Sequence, residues 1–248
     1  MLDPGGNVNR LLTLAAAALL FAACYVPVPK TGKAETLAQS WTADGAESLA
    51  VDITLGVGTL KLAGGAAGAA EAEVRYNIPD WKPVLTYEVK DALGRVDLSQ
   101  PSSVVGVTWP EALRYEWNVR LSDSLPVRLS VELGVGKVEL DLSKIDVSRL
   151  KLDAGVGEGV LDLSGQRRTD LQATIQAGVG KLTVILPSGT PVSVRVEGGI
   201  GNVEARGFAR RDGRYVNDAD TGPRTEVDIE AGVGKIELRL ASGSGDSI

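Results

Sequence analysis

The chain has 248 residues, with 26 Lys and Arg against 32 Asp and Glu, and a formal net charge of −6. That acidic balance, without a long basic run, argues against nucleic acid as a partner. There is no histidine and a single cysteine, which excludes Ser-His-Asp and Cys-His catalysis, histidine-ligated zinc or haem, and an internal disulfide.

The chain opens on an address. Residues 11–23 are an apolar run behind Arg10, too short for a membrane span of ~20 residues. The run ends in Phe21-Ala22-Ala23-Cys24, the small-residue finish of a secretory signal. With a cysteine at the cleavage point, it resembles the lipobox of bacterial lipoproteins. That resemblance implies that Cys24 is diacylated and anchors the chain. The alternative is an ordinary signal peptide, or a signal anchor, with an incidental cysteine. Residues 1–23 are therefore expected to be a leader. Residues 24–44, which include Pro27, Pro29 and Gly32, read as an extended tether.

Residues 45–130 read as an irregular N-terminal β module. Trp81 lies in Asn77-Ile78-Pro79-Asp80-Trp81-Lys82-Pro83, a proline-bracketed loop. Trp109, Tyr115 and Trp117 follow it. Exposed aromatics could stack on sugar rings or grip a partner, whereas buried ones would plug the core. Trp117 alternates with Tyr115 and Val119, as on a buried face. Trp81 remains a candidate surface residue.

Residues 131–248 carry a repeat. Gly-Val-Gly or Gly-Ile-Gly stands at residues 56, 134, 155, 178, 199 and 232. From 134 onward the steps are 21, 23, 21 and 33 residues, the mark of a repeat architecture. Alternating apolar residues flank each copy, as in Lys137-Val138-Glu139-Leu140-Asp141-Leu142. Each unit is thus strand, corner, strand. The expected fold is all-β, a parallel β-solenoid or single-stranded β-helix-like stack; the alternative is an antiparallel β-sandwich. Aligned on the second glycine, Leu140, Leu161, Val184, Ala205 and Leu238 should form one buried column. Lys137, Glu158, Lys181, Asn202 and Lys235 should form a solvated one. The long last step inserts residues 206–225, with Arg206, Arg210, Arg211 and Arg214 as candidate binding residues, against the alternative of a mixed-charge polar loop.

The remaining chemistry is thin. Strands rather than helices follow the glycines, which disfavours nucleotide loops. The repeats lack the aspartate of calcium-binding β-rolls. Asp141 and Asp162 share one repeat position and could in principle serve a polysaccharide-cleaving site, but alternating charge around them reads as a solvated face. No catalytic, cofactor or metal residue is assigned.

Leu55-Gly56-Val57-Gly58-Thr59-Leu60-Lys61-Leu62, Val74-Arg75-Tyr76-Asn77 and Trp81-Lys82-Pro83 resemble the N-terminal domain of the toast-rack family. Tyr115 to Leu121, the Gly-Val-Gly units and Gly198-Gly199-Ile200-Gly201 resemble its C-terminal domain. The units are also similar to the C-terminal domain of LiaF-like proteins and to adhesin-like head domains. The resemblance implies an extracytoplasmic, membrane-anchored lipoprotein that contacts an envelope protein or glycan and is not an enzyme. A regulatory module sensing envelope stress is the competing class. A polysaccharide-active enzyme is the third.

Overall fold

The computed structural model describes residues 30–101 and 112–242; the leader, Cys24 and Trp109 lie outside the described residues. Alternating apolar positions make strands, and the strands make one mixed, open sheet of 14. In chain order they are β1 (Glu35–Trp41), β2 (Ser48–Gly64), β3 (Ala70–Tyr76), β4 (Val84–Lys90), β5 (Leu93–Ser99), β6 (Tyr115–Leu121), β7 (Val127–Asp141), β8 (Val147–Asp162), β9 (Leu171–Leu186), β10 (Val192–Glu197), β11 (Ile200–Arg206), β12 (Ala209–Arg211), β13 (Arg214–Val216) and β14 (Thr225–Leu240). A single 3-10 turn, Pro79–Trp81, interrupts them among the described residues.

Five long strands form the middle of the sheet. β2, β7, β8, β9 and β14 run parallel, side by side, each carrying a Gly-Val-Gly corner at mid-length. The burial phase changes at the corner. Leu129, Val131 and Leu133 are buried before it, and Val138, Leu140 and Leu142 after it. The second corner glycine absorbs this shift of one residue at a positive φ, 148° at Gly157. Both arms of each bent strand thereby bury the same side.

The expected columns are ladders. Leu140 pairs with Leu161 and Leu161 with Val184. Lys137, Glu158, Lys181 and Lys235 stand in register in the polar column. The stacking order differs from chain order, however. Val184 pairs next with Leu238 of β14, and Ala205 of β11 lies beyond it. The coil of β10 and β11 is displaced to the end of the stack. Its corner is broken, with both Gly198 and Gly199 at positive φ, so it forms two strands instead of one bent strand.

The flanks join the ladder in parallel and turn antiparallel only in their outer strands. At one end β5 and β6 cover the two arms of β2, followed by β4 on β5, and by β3 and then β1 on β6. At the other end the hairpin β12–β13 closes on β10, while β11 pairs with β14. The first corner is finished by a side chain. Gln100 Oε1 accepts hydrogen bonds from the Gly56 and Val57 N–H groups, at 2.8 and 3.1 Å.

One hydrophobic core runs from Leu49 to Leu238, and β2 pairs with β7 across residue 130, because the first Gly-Val-Gly unit belongs to the same ladder as the later ones. Within the residues expected to be a tether, 35–41 form β1 against β3.

Candidate binding surface

The five residues singled out from the sequence do not form one site. Trp81 is 2% exposed. Its ring packs edge-on against Tyr115, centroids 6.0 Å apart, and its carbonyl accepts the Tyr115 hydroxyl at 2.7 Å. Burial pushes that phenol well above its ordinary pKa. Trp81 thus closes the core where the strands are short, and it offers no stacking face. Trp117 is fully buried beside Tyr115.

The insert is the hairpin β12–β13 at the opposite end of the sheet. Its arginines are largely engaged. Arg210 lies over the Tyr215 ring at 5.6 Å, and Arg211 pairs with Asp218 at 3.4 Å. Arg214 and Arg195 both donate to Asp228 Oδ1 at 3.2 Å. These contacts fasten the hairpin to the ladder. Arg206, at the end of β11, is 80% exposed and, among the described residues, reaches only Glu204, at 3.9 Å. Asp141 and Asp162 are in register, and each caps the turn behind its own strand. Asp141 accepts from the Ser143 N–H at 3.1 Å, and Asp162 from the Ser164 N–H at 2.8 Å.

A feature that the sequence did not single out is a surface trough of about 1010 Å³ across β1, β3, β6, β2 and β7. Cross-strand register builds its floor. One row reads Ala38, Glu73, Asn118, Lys61, Glu139, and the next Ser40, Glu71, Arg120, Ala63. The small Ala38 and Ala63 leave room between longer side chains. Asn118 offers both donors and acceptors. Glu139 is held below the usual carboxylate range by Lys137, at 2.7 Å, and by Lys61, at 3.2 Å. Glu71 is lowered by the Ala67 N–H, at 2.9 Å, and by Arg120. The trough therefore presents fixed, ionised acceptors beside fixed donors. Only pairing across five strands brings these residues together, so no local motif could have revealed them.

A smaller hollow of about 70 Å³ lies at the corners, lined in part by Ala154, Ala177 and Ala231. Residues 55 and 133 are leucines at the equivalent positions. Among the described residues, no group of three or more Asp, Glu or Cys is placed to hold a metal ion.

Comparison with known proteins gives a consistent picture. A family described as the N-terminal domain of toast_rack matches residues 30–185, across the boundary expected at 130. A solved structure from Clostridium sporogenes, provisionally described as a cell adhesion protein, is 33% identical, with a TM-score of 0.79 over 84% of this chain and all of that one. Two further structures are provisionally described as adhesins. One, from Bacteroides fragilis, is 14% identical with a TM-score of 0.28, covering 86% of this chain and all of that one. The other, from Parabacteroides merdae, is 11% identical with a TM-score of 0.23, covering 84% and 96%. Those two scores are too low to carry an argument. No curated protein matches.

Proposed function

The chain belongs to the toast-rack family, and on that footing we propose that it is a non-catalytic, adhesin-like binding module of the cell envelope. The observation that carries the reading is its 33% identity to the Clostridium sporogenes structure over 84% of this chain and all of that one. The trough supplies a contact surface of suitable chemistry. Its neighbouring donors and ionised acceptors match a polyhydroxylated glycan, whose hydroxyls both give and take hydrogen bonds. Its charged groups are already paired and in place, which lowers the ordering cost of binding.

In this reading Cys24 carries the lipid, and residues 25–34 span at most about 35 Å between the anchor and β1. The trough borders β1, so its ligand would be met close to the membrane. The test is binding of the full chain to immobilised wall fragments and an envelope glycan array. Asn118→Arg would obstruct the trough floor and should abolish capture with an unchanged thermal melt. Absence of capture by wild type, or equal capture by the variant, would overturn the reading.

A further inference from the structure

The ladder leaves an apolar ridge exposed. Val135, Val156, Val179 and Val233 are adjacent in register, at 36%, 49%, 50% and 49% exposure. The glycines on either side carry no side chain to shield them. Stacking explains the glycines but does not require four exposed valines, and contiguous exposed apolar surface marks an interaction site.

The surroundings of the ridge are asymmetric. Before the corner lies a groove of about 730 Å³, lined by Gly134, Gly155, Gly178 and Gly232 and by Glu132, Asp153, Gln176 and Glu230, of which Asp153 and Glu132 also face Lys151, at 2.6 and 4.0 Å. After it stand Lys137, Lys181 and Lys235, with Glu158 in the same column. Passing over the ridge, the sequence of features is acidic row, glycine groove, valine ridge, lysine row.

The geometry points to a second copy of this chain as the occupant. We infer a two-fold dimer whose axis lies parallel to the ladder. That operation lets the ridge of each copy enter the glycine groove of the other. It also brings the acidic row of one copy against the lysine row of its partner. A two-fold axis across the ladder would instead set acid against acid, and its grooves would not receive both ridges. Shape and charge therefore select the same operator. The surface is small for a permanent dimer, so the association is weak in solution and strengthened where two anchored chains share one membrane. It does not depend on the glycan reading.

The test uses the full chain in membranes of the cells that make it. Val156→Cys should form a dimer with a short bis-maleimide, because equal levels of the two ridges lie side by side. Val84→Cys, equally exposed on β4, should not. Co-expressed Val135→Cys and Val233→Cys should give no mixed dimer, since three strand spacings, about 14 Å, separate those levels. Glu132→Lys and Lys137→Glu should each reduce crosslinking several-fold, and together restore it. No crosslink at Val156→Cys, crosslinking equal to that of Val84→Cys, a mixed 135–233 dimer, or charge reversals without effect would overturn the proposal.

Discussion

Gly157 sits directly against the carbonyl oxygen of Gly136, one strand away. A Cβ added to Gly157 would lie 1.8 Å from that oxygen, and Gly180 stands in the same relation to Gly157. The second glycine of each bent strand is thus required twice, by a positive φ and by the neighbouring backbone. Gly157→Ala should cost at least about 2 kcal/mol. Gly213→Ala, at φ 78° in the hairpin turn with no atom nearby, should cost about 1 kcal/mol. Denaturant unfolding of both variants checks the difference; equal losses would mean that close approach is not the cause.

Gln100 caps the first corner, supplying an acceptor to two backbone donors where the ladder ends. Gln100→Leu keeps the bulk and removes the acceptor. It should lower stability by about 1–3 kcal/mol, the cost of leaving a buried donor unsatisfied. Proton exchange at Gly56 and Val57 should accelerate more than at Gly136.

Trp81 and Tyr115 hold the short-strand end of the core. Trp81→Ala should cost about 3–5 kcal/mol as a core truncation. Tyr115→Phe should cost about 1–2 kcal/mol through the lost hydrogen bond to the Trp81 carbonyl. A thermal melt unaffected by Trp81→Ala would contradict the burial.

Glu237 lies among Lys235 at 2.8 Å, Arg239 and Lys181 at 3.4 Å. Led by the Lys235 hydrogen bond, these cations hold its carboxyl down to about 2, below the ordinary glutamate value of about 4.3. A lowered folded-state value makes the ionised form stabilising above about 4.3, and that contribution disappears as pH falls towards 2. Melting temperature should therefore drop over this window, and drop less in Glu237→Gln. Parallel curves for the two proteins would contradict the assignment.

Cys24 is the proposed lipid attachment. Cys24→Ala should leave an unprocessed or mislocalised precursor, while wild type partitions with membranes and bears its lipid at a new N-terminus. A mature terminus elsewhere, without lipid, would sink the anchor.

Strand, corner and ladder were legible in the sequence because each repeats the same chemistry at a fixed phase, so Leu140, Leu161 and Val184 could be aligned before any pairing was known. The place of β14 was not. Nothing in the residues around Gly232 distinguishes stacking on β9 from stacking on β11; the long return through residues 207–224 and the broken corner at Gly198 and Gly199 decide it. Trp81 misled because its prolines signal a loop, and a loop can still turn its side chain inward. The trough was invisible because Glu73, Asn118, Lys61 and Glu139 lie on four different strands.

The central claim, that this protein is a binding module of the cell envelope that holds a ligand in its trough, is tested most directly by photocrosslinking in live cells. A photoreactive residue placed at Asn118 should capture an envelope glycan or glycan-bearing component, identified by mass spectrometry, and the same probe at Arg224, on the far flank, should not. Capture at Arg224 alone, or no adduct at Asn118, would contradict the account.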